Sequence, residues 1–156
     1  MTLNLTTKEK MLLQDQKSHE ELCIEKYRSY SEQAQDPELK QLFSSLEQKE
    51  VEHLNSINQI LGGQVPSLQQ GQQSAQQQQS QQYQASPGAV ANKNDEILCS
   101  DMLSTEKYVS GTYDTAIFEF TDTNVRQVLN HIQKEEQEHG EQIFNYMQSR
   151  GMYNPQ

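Results

Sequence analysis

Apolar residues in this chain recur at steps of three and four, in four separate runs. Leu12, Gln16, Glu20, Cys23, Tyr27, Tyr30 and Ala34 lie along one line of a helix. A second run presents Leu39, Leu42, Leu46, Glu50, His53, Ile57 and Ile60 on one face. A third aligns Leu98, Met102, Glu106, Val109, Tyr113, Ile117 and Phe120, and a fourth Val125, Val128, Ile132, Glu136, His139, Ile143 and Tyr146. Local signals bound these runs. Thr6 with Glu9 has the form of a capping box. Asp36-Pro37 closes the first helix and opens the second, as N-cap and first helical position. Gly62-Gly63 stops the second, Thr121-Asp122-Thr123 holds the cap of the fourth, and Arg150-Gly151 suits its end. The pattern predicts helices over 7–34, 37–61, 95–120 and 123–149, the third beginning near Asn94 or Asp95.

The four runs are two copies of one hairpin. A shift of 86 residues carries Leu46 onto Ile132, Ile57 onto Ile143 and Tyr27 onto Tyr113. Each hairpin must bury one apolar stripe per helix, and four stripes are covered economically in a four-helix bundle. The expected fold is therefore all-α, one domain over 1–156. Between the hairpins, residues 64–93 show no helical period. Twelve of the 21 residues from 64 to 84 are glutamine, which predicts a solvated linker. About thirty residues suffice to cross a bundle about 39 Å long, so an up-down-down-up order is permitted.

Polar residues interrupt the apolar stripes at matching places. Glu20, Glu50 and His53 return as Glu106, Glu136 and His139, so each half reads Glu and then, thirty residues on, Glu-x-x-His. Glu20 and Glu50 each stand about fifteen residues from the first turn, at one height about 22 Å away, and Glu106 and Glu136 do the same about the second. With the turns at opposite ends, all four carboxylates meet near mid-bundle. The histidines lie one helical turn on, on the same face. Four buried carboxylates require protonation or cations, and two divalent ions balance their charge. Glu and His donors without thiolate suit manganese or iron, with zinc possible. This ligand pattern is that of ferritin-like di-iron and di-manganese bundles. The plainer alternative is an ancestral site whose carboxylates now bond only to one another.

Other polar positions carry less. Tyr27 and Tyr113 lie two turns from Glu20 and Glu106, either as partners that orient a ligand or as core aromatics. His19 and His131 flank the stripes as expected surface residues. Gly140 either admits a close helix approach or is a local weakness. Cys23 and Cys99 fit no zinc or redox spacing and read as small buried residues, a bridge between them remaining open. The net charge of -10 argues against nucleic acid and anionic membranes as partners. No stretch has the length of a membrane span, and residues 1–10 lack the apolar core of a signal peptide.

The sequence around these positions resembles a known family. Residues 13–61, with His19-Glu20-Glu21-Leu22-Cys23 and Asp36-Pro37-Glu38-Leu39-Lys40-Gln41-Leu42-Phe43, are similar to the Coat F family of bacterial spore coat proteins. So are Ser104-Thr105-Glu106-Lys107-Tyr108, Glu135-Glu136-Gln137-Glu138-His139-Gly140, and Asn145-Tyr146-Met147 followed by Gly151-Met152-Tyr153. The resemblance implies a ferritin-like bundle and deposition in the spore coat, with other coat proteins or further copies of the chain as partners. It implies no established reaction. Manganese catalases share the ligand order, which keeps a dinuclear manganese or iron redox enzyme as the alternative. Rubrerythrins are also similar, but the chain lacks their rubredoxin-type cysteine pairs and has Val109 where they place a further glutamate. The glutamine tract, of no evident use to a small diffusible enzyme, suits cross-linking or chain pairing in an assembled coat.

Overall fold

A computed structural model describes residues 2–68, 83 and 92–154. It contains α1 (Thr7–Gln33), α2 (Pro37–Leu61), α3 (Lys93–Glu119) and α4 (Thr123–Ser149). The linker, 64–93 as expected from composition, falls largely outside the described residues.

The helix ends follow from their local sequence. The Thr6 hydroxyl accepts from the Glu9 amide and the Glu9 carboxylate accepts from the Thr6 amide, a complete capping box. Asp36 caps α2 ahead of Pro37, and Asp122 caps α4 by accepting from the amides of Asn124 and Val125. The third helix starts two residues earlier than expected, because Asn92 serves as its cap and accepts from the Asp95 amide. At the far end of α2, the Gln64 amide donates to the Gln59 carbonyl and Gly63 to Ile60. Met152 to Met147 and Gly151 to Gln148 repeat the motif after α4. This closure requires a left-handed residue after the cap, which Gly63 (φ 88°) and Gly151 (φ 69°) supply.

Two buried acids set the topology. Asp95, at the start of α3, accepts from the backbone amides of Gln35 and Asp36 in the first turn. Glu9, at the start of α1, accepts from the Thr121 amide and hydroxyl in the second. Glu9 and Asp95 are themselves 86 residues apart. Each turn is thus tied to the opposite hairpin, and the turns lie at opposite ends. The helices run up, down, down, up, with α1 against α2 and α3, and α4 against α3 and α2.

The core is divided along its length. One apolar cluster holds Leu13, Ile57, Ile60, Tyr113, Phe120, Val125 and Leu129; the other holds Tyr27, Leu39, Phe43, Leu46, Met102, Ile143 and Tyr146. The polar stripe residues lie between them. The buried stripes are wider than single lines of residues. Leu13 is fully buried and Leu12 only partly, and Ile24, Phe43 and Cys99 join the core from beside the expected stripe.

Gly140 is not a close-approach position. A Cβ added there meets only Leu103 Cδ1, at the ordinary contact distance of 3.7 Å. Gly140→Ala is therefore expected to stabilise the protein by about 0.5–1 kcal/mol, read as a higher urea midpoint at unchanged m-value.

Candidate metal centre

Each helix contributes to one polar layer at mid-bundle. α1 brings Glu20, α2 Glu50 and His53, α3 Glu106, α4 Glu136 and His139, none more than 2 % exposed. Their ligand atoms form two sets. Glu20, Glu50, His53 and Glu136 offer donors within 4.8 Å of one another, as do Glu50, Glu106, Glu136 and His139. Glu50 and Glu136 belong to both sets. Glu20 and Glu106 each belong to one.

The contacts cross between hairpins. His139 Nδ1 lies 2.9 Å from Glu50 Oε1, and His53 Nδ1 lies 2.8 Å from Glu136 Oε1 and 3.2 Å from Glu50 Oε2. The imidazoles stack with ring centres 5.6 Å apart. The tyrosines cross likewise. Tyr113 Oη donates to Glu20 Oε1 at 2.5 Å, and Tyr27 Oη donates to Glu106 Oε1. Both phenols are buried, and burial with the adjoining carboxylates pushes each well above its usual range, so they remain donors. Tyr27 and Tyr113 thus orient the carboxylates of the opposite half.

Electrostatics splits the carboxylates into two kinds. Burial pushes all four up. In Glu50 and Glu136 it prevails, reinforced by the carboxylates around them. In Glu20 it is overcome by hydrogen bonds from Glu50, His53 and Tyr113. In Glu106 it is overcome by Glu136, His139 and Tyr27, which bring the group to about 2. Burial lowers His53 and His139, but the surrounding carboxylates outweigh it and raise both. The residues shared by the two donor sets are thus the ones whose ionisation the site opposes most.

Fit to cations is tested by the polar atoms left over. Glu20 Oε2, Glu106 Oε2, Glu136 Oε2 and Nε2 of both histidines are buried with no hydrogen-bond partner among the described residues, and Glu136 Oε1 has only its close approach to His53 Nδ1. Unpaired buried carboxylate oxygens are costly. Four of these atoms are carboxylate oxygens facing a site of oxygen and imidazole donors, the chemistry that manganese or iron takes.

Beside the layer lie two residues that the repeat does not share, Glu135 and the expected surface residue His131. Glu135 lies 8 % exposed beside His53, its Oε1 3.8 Å from Nε2, and His131 Nε2 lies 2.5 Å from the same oxygen. The i,i+4 spacing of His131 and Glu135 is the sequence signal that could have identified the pair. His131 is part-buried rather than a surface residue, and so is His19, whose ring meets Tyr108 edge-on. Cys23 and Cys99 are buried free thiols, Cys23 in one apolar cluster and Cys99 in the other. Burial raises both, Cys99 to about 12, so neither offers a thiolate.

The second hairpin also carries a family signature. Residues 94–156 match the Coat F domain. Neither the curated proteins nor the solved structures offer a match to the chain. The match spans α3 from its second residue and all of α4, so it is the second hairpin that is similar to the Coat F domain.

Proposed function

We propose that the chain is a spore coat protein and that it holds a dinuclear manganese or iron centre on a bundle of the ferritin type. The observation that carries the reading is the pair of donor sets sharing Glu50 and Glu136. Glu50 and Glu136, common to both sets, would hold both ions, with Glu20 and His53 on one and Glu106 and His139 on the other. Manganese or iron bound there would supply redox chemistry toward a small oxidant such as a peroxide. The chain's own part is to hold the donors in place. Tyr27 and Tyr113 fix the terminal carboxylates, and the two apolar clusters close the layer from above and below. The assignment to the coat follows from the Coat F domain, with other coat proteins or further copies of the chain as partners. No helix of the described residues is long and apolar enough to cross a membrane.

Metal content after purification without chelator, followed by a peroxide-consumption assay, tests the reading. About two manganese or iron ions per chain is the expected result. Turnover of peroxide then assigns a redox enzyme within the coat, and metal without turnover assigns the centre a structural role. A metal-free protein from metal-replete cells, whose melting temperature ignores chelator, overturns the proposal.

A further inference from the structure

Beside the centre, between α2, α4 and the segment 66–68, lies a cavity of about 340 Å³. Glu52, His53, Ser56, His131, Glu135 and Leu68 are among the residues that line it. His53 belongs to both places. Its Nδ1 faces the carboxylate layer, and its Nε2, buried and without a hydrogen-bond partner, faces the cavity side, 3.8 Å from Glu135. Side-chain exposure falls inward from 52 % at Glu52 to 27 % at His131, 10 % at Glu135 and 3 % at His53. The lining therefore forms a graded path of oxygen and imidazole donors from solvent to the centre.

We propose that this cavity is the loading port through which divalent cations reach the dinuclear centre, with the Glu135–His131 pair as the donors a cation meets on the way in. The inference rests on the metal reading above and adds a direction to it. A carboxylate focused in a low-dielectric cleft raises the local concentration of cations and speeds their arrival. The duplication supplies an internal comparison. Shifted back by 86, Glu135 becomes Lys49 and His131 becomes Ser45, so the matching place in the first hairpin has a cation and a hydroxyl. The Lys49 ammonium pairs with Glu52 at 3.1 Å, which leaves Glu135 and His131 as the port's available donors. The groove between α1 and α3 that reaches Cys23 and Val109 is lined by Lys26 and no carboxylate. Access by charge is thus one-sided.

Cobalt(II) uptake by the metal-free full-length protein, followed through its ligand-field absorbance in a stopped-flow mixer, tests the port without any activity assay. Glu135→Gln removes the charge, Ser56→Phe fills the cavity, and Ser104→Phe fills the α1–α3 groove as control. Uptake is expected to slow about tenfold or more in the first two and to stay within about twofold of the parent in the third. Final occupancy should be unchanged in all three. Circular dichroism selects folded variants, and Glu135→Gln, which keeps the side-chain shape, carries the test if a filled cavity does not fold. Parent-like rates in Glu135→Gln, or equal slowing in Ser104→Phe and Ser56→Phe, at full occupancy, overturn the port alone. Failure of the parent to take up cobalt overturns the dinuclear reading, and the port with it.

Discussion

The double variant Glu50→Gln/Glu136→Gln is expected to fold, to bind no metal, and to melt at one temperature with or without chelator. The parent should behave differently. An ion at a free concentration about 1,000 times its Kd stabilises the folded state by about 4 kcal/mol. At roughly 2–4 °C per kcal/mol for a domain of this size, removing two such ions lowers the melting temperature by roughly 15–30 °C. The carboxamides keep the size of the carboxylates and can still donate to one imidazole and accept from the other. They remove the charge that both donor sets share. The metal-free double variant should melt no lower than the metal-free parent, because two acids whose ionisation is opposed by burial and by the neighbouring carboxylates are gone. Calorimetric scans with and without EDTA read both effects. A chelator-dependent shift that survives in the variant would locate the metal elsewhere.

Glu9→Ala and Asp95→Ala are expected to cost about 2–3 kcal/mol each and about 4–6 kcal/mol together. Each acid is at most 2 % exposed and accepts from backbone amides of a turn in the other hairpin. Charge-assisted bonds of this kind are worth about 1.5–3 kcal/mol, and a buried amide left unpaired adds to the loss. The two locks sit at opposite ends of a bundle about 40 Å long, so their effects should add. Urea unfolding of the single and double variants measures this; a double cost well below the sum would show that the locks act as one. Burial opposes ionisation of Glu9, but hydrogen bonds from Thr6 and Thr121 hold its folded value below the usual carboxylate range. Its contribution is therefore present above the unfolded value of about 4.3 and is lost as pH falls through the lower folded value. Glu9→Gln should flatten that part of the acid limb of the stability curve.

The bundle and the convergence of six side chains were legible because both depend on periodicity. Steps of three and four located the stripes, and equal distances from two turns placed Glu20, Glu50, Glu106 and Glu136 at one height. Less regular features were harder to read. Tyr27 and Tyr113 occupy ordinary stripe positions, and only the crossing of the hairpins aims each phenol at the other half's carboxylate. Glu9 was visible as half of a capping box, but its bond to Thr121 spans 112 residues and has no local signature. Asp95 was read as a helix start, while the two amides it holds belong to a turn about 60 residues earlier. A repeat points only to what the halves share, so it leaves Glu135 unmarked and His131 as an expected surface residue. Those two matter for what the halves do not share.

That difference bears on why the hairpins are joined in one chain. Two identical hairpins meeting about a two-fold axis would build the same carboxylate layer, the same crossed tyrosines and the same turn locks. In such a dimer every residue beside the α2–α4 cavity would appear twice, once on each helix. Only when the copies became separate stretches of one polypeptide could position 135 hold an acid while position 49 held a base. Fusion thus let the two helices that border one cavity carry opposite charges.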